Sequence, residues 1–280
     1  MKQNLNSKNS QIFKKFEDKI LLLNNENDIL NEVNIFSKSI SINGILNHLL
    51  ELFSNEKYYL PNNSTQNKIT LFSSSSYEFS LIHTPPEVRT SSEATSLYTY
   101  TNNVFFCPLI DVNDVRYTIY EQNKRVAPDV LDEDVKLQIK KENVFVKNET
   151  IFLRKFKDVL RFDGTKPLLL FMIISRKDTL KYSWEYNSIS LKPVRIVLRE
   201  VNFARLGTTA KILGNIGDGN SKALLLKLSQ HESHIVRWEA ARALINIDFE
   251  EGVSVLKRMM NDKHIEISMA AKQSVQMLNV

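Results

Sequence analysis

The sequence predicts an α+β protein: N-terminal helices, then an antiparallel β-sandwich or barrel, then C-terminal α-helical repeats. Three observations predict it. Apolar residues recur at three- and four-residue spacing as far as about Phe53, alternate with polar ones from Tyr77 to Leu198, and return to helical spacing from about Glu200. The middle stretch holds about eight or more short strand-like runs with no helical run among them, which an antiparallel sandwich or barrel accommodates most simply. The final stretch repeats itself at intervals of 30 and 31 residues, the signature of stacked helix pairs.

Residues 1–66 read as a helical segment leading into the β domain. The first ten are polar; Ile12, Phe13, Phe16 and Ile20 then form one helical stripe, and Ile45, Leu46, Leu49, Leu50 and Phe53 a second. Residues 54–66 read as a loop.

Residues 67–199 form the β domain. Tyr77, Phe79, Leu81 and His83 alternate with other residues until Pro85-Pro86 stops the strand. Residues 97–110 give one or two strands broken at Asn102-Asn103. Val135, Leu137 and Ile139 alternate with Lys136, Gln138 and Lys140, the pattern of a half-buried strand. Runs at 144–146 and 151–156 follow. Asp163-Gly164 introduces the apolar run Leu168 to Ile174, and Tyr182, Trp184, Tyr186 and then Val194, Ile196, Leu198 alternate again.

Residues 200–280 carry the repeat. Ala210-Lys211-Ile212-Leu213-Gly214-Asn215-Ile216 returns as Ala241-Arg242-Ala243-Leu244-Ile245-Asn246-Ile247, and His234-Ile235 returns as His264-Ile265. Small residues such as Ala240 and Ala241 allow close helix approach, while Val236, Leu244 and Ile247 fill the layer between repeats. Partner helices lie between, with Leu224, Leu225 and Leu228 as one core stripe and Val253, Leu256, Met259 and Met260 as another. Val236-Arg237-Trp238-Glu239-Ala240-Ala241-Arg242-Ala243-Leu244 and Leu213-Gly214-Asn215-Ile216-Gly217 resemble the HEAT-repeat family, in its phycobilisome-lyase-like form. The last copy departs from that pattern, with Ile267 where the family has Arg. So few repeats need closing at one end, and the helix near Val201 is expected to pack on the β domain. The order of helices and short strands over residues 41–198 is similar to cupin-like barrels. The paired histidines and following Glu that hold a metal in that family are absent, so this resemblance implies a metal-free cavity.

The bulk numbers narrow the function classes. Cys107 is the sole cysteine, which excludes an intrachain disulfide and suits a reducing compartment. The N-terminal residues lack the apolar segment of a secretory signal, and no apolar run approaches the ~20 residues that span a bilayer. The expected setting is cytoplasmic, away from membranes. Net charge is +5, unevenly spread: residues 1–139 hold 13 Lys/Arg and 17 Asp/Glu, residues 140–199 hold 14 and 6, and residues 200–280 hold 10 and 9. The basic segment 140–199 could meet nucleic acid, or pair with the acidic residues before it.

Chemistry-bearing motifs are sparse. The histidines His48, His83, His231, His234 and His264 are scattered, so no metal site and no cofactor is expected. No phosphate loop, dinucleotide fingerprint or nucleophile elbow occurs, so no catalytic residues are expected. The residues best suited to contact a ligand are His83, Tyr98, Tyr100, Tyr117, Tyr120 and Trp184 in the β domain, since amphipathic aromatics give contact area at small entropic cost. Arg237 joins them from the repeats, with an inter-repeat salt bridge as its alternative role. The expected function is a non-catalytic binding, scaffold or accessory protein for a protein or peptide partner. The alternatives are a nucleic-acid-binding protein using residues 140–199 and a metal-independent enzyme using a barrel cavity.

Overall fold

The computed structural model describes residues 8–41, 43–47, 50, 67–84, 95–111, 115–163, 166–217 and 219–278. The expected loop 54–66, Leu49, Phe53, His48 and the Pro85-Pro86 strand stop lie outside them. Two compact units are present, one comprising Met1–Arg125 with Asp132–Arg195 and the other Val126–Leu131 with Ile196–Val280.

The first unit begins with helices α1 (Lys8–Leu21) and α2 (Glu26–Ser39). Asn25 caps α2 by accepting the Asn27 N–H at 2.9 Å, so the long helical stretch read from sequence is broken at residues 22–25. Phe13, Phe16 and Ile20 are buried as expected, whereas Ile12 and Leu50 are exposed.

Eleven strands follow among the described residues: β1 (Lys68–Ser73), β2 (Tyr77–Thr84), β3 (Ser96–Tyr98), β4 (Val104–Pro108), β5 (Arg116–Gln122), β6 (Leu137–Val144), β7 (Ile151–Leu153), β8 (Asp158–Asp163), β9 (Leu168–Ser175), β10 (Tyr182–Asn187) and β11 (Pro193–Leu198). They form a five-stranded sheet in the order β1-β2-β9-β4-β7 and two three-stranded sheets, β11-β10-β3 and β6-β5-β8. The pairings β1–β2, β2–β9, β9–β4, β4–β7, β10–β3, β5–β6 and β5–β8 are all antiparallel.

The two-residue period sorts side chains between two layers. Phe79, Leu81, Phe105, Cys107, Phe171 and Ile173 pack with Phe13, Phe16 and Ile20 of the helices. Their neighbours Val104, Phe106, Leu168, Leu170 and Met172 pack with Tyr117, Ile119 and Leu160 of the β6-β5-β8 sheet. Strand β9 is therefore covered on both faces, which is why its sequence is an unbroken apolar run.

Strand β6 corrects the sequence reading. Leu137 is buried, but Ile139 is 57% exposed, as is every residue of β6 after Leu137. Beyond Ile139 the β5–β6 register shifts between Ile119 and Tyr120, leaving Lys140 as the extra residue, and its ammonium reaches the Asp158 carboxylate at 3.2 Å.

The second unit holds α3 (Val201–Ile216), α4 (Lys222–Leu228), α5 (His234–Ile247), α6 (Phe249–Met259) and α7 (Ile265–Leu278). Ala240 and Ala241 are fully buried, with Val236 and Leu244 filling the same core. A Cβ placed on Gly214 would lie 2.6 Å from Ala243 Cα, so the glycine permits the α3–α5 approach. Gly217 ends α3 in the left-handed conformation (φ 74°), its N–H donating to the Leu213 carbonyl. Leu225 and Leu228 are buried, but Leu224, expected in that stripe, is 50% exposed; it lies about 100° around the short helix from Leu225.

Candidate functional site in the helical unit

Among the described residues, the candidate ligand-contacting side chains of the β domain do not converge. Tyr117 is buried between the sheets against Phe145, ring centroids 4.9 Å apart, and Tyr100 meets Phe106 edge-on in the same layer. Tyr120, three residues from Tyr117, points to the opposite face of β5 and is also buried. Trp184 is fully buried, edge-on to Phe156 at 5.6 Å and next to Tyr186, whose hydroxyl accepts from Gln122 Nε2 at 2.9 Å. Tyr98 lies opposite Glu185 in the β10–β3 pair and is partly exposed. His83, assigned by alternation to an apolar face, is exposed: that face is covered only as far as Leu81. Tight side-chain packing, rather than a shared cavity, accounts for Tyr117 and Trp184.

The basic segment is extensively paired. Asp158, fully buried, is held by Arg154 through Nε at 2.9 Å and Nη2 at 2.7 Å, and by Lys140 at 3.2 Å. Burial pushes the Asp158 carboxyl up, but Arg154, its backbone N–H and the Lys140 charge outweigh that and bring the net shift below the usual value. Arg154 also reaches Glu121, Arg161 pairs with Asp163, Arg176 with Glu78, and Arg195 with Glu185. Several cations of residues 140–199 are thus neutralised by carboxylates, including Glu78 and Glu121 from the acidic stretch before them.

In the helical unit, Arg237 spans from α5 to the turn before α7. Its Nε and Nη2 donate to Asp262 at 2.8 and 2.5 Å, and its Nη1 donates to the carbonyls of His231 and Glu232, both at 2.9 Å. Four hydrogen bonds commit nearly all of its donors, so the salt-bridge role is the one its geometry fills. Burial raises the Asp262 carboxyl, and Arg237 with the His264 N–H more than reverses it.

Beside this pair lies a cluster that the sequence reading did not assemble. His234 opens α5 and His264 immediately precedes α7. They sit 30 residues apart, so stacking of the repeats brings equivalent positions together, and their rings lie face to face with centroids 3.7 Å apart and planes 13° apart. Both are buried. The carboxylate of Asp129 completes a group in which one ligand atom from each residue lies within 4.8 Å of the others. Leu131 beside it is held by its N–H to Glu266 at 3.0 Å. Burial and the adjacent His264 push His234 down to about 4, so its imidazole is uncharged at neutral pH. The His-Ile recurrence at offset 30 carried the signal for the ring pair. Nothing in the aperiodic segment 126–131 signalled Asp129.

Residues 197–276, within the helical unit, match the family model for HEAT repeats. No curated protein matches the chain in sequence. Among solved structures, the chain is similar to a hydroquinone 1,2-dioxygenase in complex with Cd2+ and 4-hydroxybenzonitrile, at 12% identity and TM-score 0.28, covering 41% of this chain and 66% of that one. It is similar to an uncharacterized conserved protein with a double-stranded β-helix domain from Klebsiella pneumoniae, at 7% identity and TM-score 0.25, covering 44% and 83%. It is also similar to a cupin-2 domain containing protein from Shewanella frigidimarina, at 10% identity and TM-score 0.24, covering 46% and 92%. The chain spans just under two thirds of the first of these. No helix among the described residues is long and apolar enough to cross a membrane.

Proposed function

We propose that the chain is a binding or scaffold protein that recognises a protein or peptide partner through its HEAT repeats. The observation that carries this reading is the outward side of α7, where Ile265 (56%), Met269 (54%) and Met277 (81%) stand exposed while Ile267, Ala271 and Val275 of the same helix are buried. A helix with apolar residues on both sides has more apolar surface than its own core uses. Methionine suits such a surface, because its unbranched thioether adapts to a partner's shape. The partner best matched is a protein segment carrying its own apolar side chains, docked along α7. The aromatic residues of the β domain contribute less to this reading, since most of them are spent on its core.

The test compares the full chain with an Ile265→Glu, Met269→Glu variant in affinity capture followed by titration with the purified partner. A specific partner held by the native chain and lost by the variant, with far-UV circular dichroism unchanged, is the expected outcome. Equal retention by both chains would remove α7 as the docking surface.

A further inference from the structure

Partner recognition along α7, as proposed above, draws on none of Asp129, His234 and His264. We propose that they form a binding site for a divalent transition-metal ion of the zinc, cobalt or nickel class.

Three observations support the site. The first is convergence: a ring nitrogen from each histidine and one Asp129 carboxylate oxygen fall within 4.8 Å of one another. Tetrahedral bonds of about 2.0–2.1 Å to such donors put ligand atoms roughly 3.3 Å apart, so modest side-chain rotation closes the set. The stacked rings must fan apart to do so, because parallel rings aim their in-plane lone pairs side by side.

The second is an orphaned nitrogen. His264 Nε2 lies 2.9 Å from the Asp129 carbonyl oxygen. A carbonyl only accepts, so Nε2 carries the hydrogen and Nδ1 of the neutral ring presents a bare lone pair. That Nδ1 is buried and has no hydrogen-bond partner, and the residue is only 8% exposed. A buried acceptor left unmatched costs free energy unless something fills it. Metal-ligating histidines commonly donate their other ring N–H to a backbone carbonyl, which fixes the ring and raises its basicity; His264 already makes that bond.

The third is rigidity and access. Asp262 accepts the His264 N–H at 2.8 Å and the Arg237 fork at the same time, fixing the backbone on which His264 stands. The Arg237 charge acts against a cation beside His234, and the Asp129 and Asp262 carboxylates act the other way. Asp129, with its side chain 41% exposed, forms the rim, so an ion can enter there and keep a coordination position open to water or an outside ligand. Two imidazoles with one carboxylate favour these borderline ions over Mg2+ or Ca2+, which prefer oxygen-rich shells.

The test uses the untagged full chain titrated with CoCl2, followed by visible absorption and calorimetry. One Co2+ per chain is expected, with ligand-field bands, no sulfur charge-transfer band, displacement by Zn2+ and indifference to Mg2+. His234→Ala and His264→Ala should each weaken Co2+ binding by at least about tenfold. Asp129→Asn should weaken it less, and His83→Ala, at an exposed strand end, should leave it unchanged. Because a buried histidine substitution can disturb folding, Cu2+ bound to the native chain is also read by pulsed EPR, where couplings from two imidazoles are expected. An absence of cobalt binding by the native chain, binding that survives both histidine substitutions, or a copper signal without imidazole couplings would each overturn the site.

Discussion

Arg237 and Asp262 meet across the step from one repeat to the next as a two-pronged ion pair, with both side chains less than one-tenth exposed. The same guanidinium holds the carbonyls of His231 and Glu232, and the same carboxylate holds the His264 N–H, so one pair fastens two turns. Removing one partner leaves a buried charge unmatched, which costs about 3–5 kcal/mol. Arg237→Ala and Asp262→Ala should each lower the stability of the helical unit by that order in urea unfolding. Their double variant should lose clearly less than the sum, because the two share one interaction. Single variants within about 0.5 kcal/mol of the native chain would show that the pair contributes no net stability.

Two glycines test the closeness of the helix packing. A Cβ on Gly214 would come within 2.6 Å of Ala243 Cα, and one on Gly252 within 2.5 Å of the Ile245 backbone nitrogen. Backbone atoms cannot swing aside as a flexible side-chain tip can. Gly214→Ala and Gly252→Ala are each expected to cost about 1–3 kcal/mol through forced helix separation, despite the better helix propensity of alanine. Gly219→Ala, which meets nothing within 4 Å, is the matched control. Stabilisation by either of the first two substitutions would mean the helices are farther apart than described.

Acid should loosen the β-rich unit through Asp158. Its carboxyl is held below the usual value in the folded chain, so the unfolded chain binds the proton more tightly. The stabilisation is therefore present in full above the unfolded value of about 4 and is lost as pH falls through the depressed folded value. Unfolding midpoints measured from pH 7 down to pH 2.5 should fall, and Asp158→Asn should lower the neutral-pH midpoint while flattening that fall. A variant whose midpoint declines as steeply as the native chain's would assign the acid sensitivity to other carboxylates, such as Glu78.

Cys107 reports on the same unit. Its side chain is fully buried in the layer beneath the helices, and burial pushes its thiol up, so both access and thiolate are scarce. A thiol reagent such as dithionitrobenzoate should modify it in step with unfolding and hardly at all in the native chain at pH 8. Rapid stoichiometric labelling without denaturant would reveal local opening of β4.

Much of the architecture is legible in the sequence alone. The change of period from helical to alternating and back is imposed by backbone geometry, so it marks the helices, the strands and the return to helices directly. The recurrence of Ala240-Ala241 as Ala270-Ala271 marked the repeat, since stacked units need small residues at the same places. Periodicity fails where a strand face is left uncovered: Ile139 alternates in step with Leu137 and is nevertheless exposed, which depends on what packs against the strand.

The candidate site was less visible for a different reason. Aromatic residues such as Tyr117 and Trp184 are equally suited to a pocket wall or to a core, and which one they build depends on the opposing sheet. By itself the sequence determined the order of elements, the repeat and the absence of sequence-local catalytic motifs, because each follows from spacing along the chain. Only the tertiary structure decided that Asp129 meets His234 and His264, and that Arg237 is spent on Asp262. Stacking of the repeats brings His234 to His264 and Arg237 to Asp262, while Asp129 comes from a segment more than a hundred residues earlier that no spacing links to them.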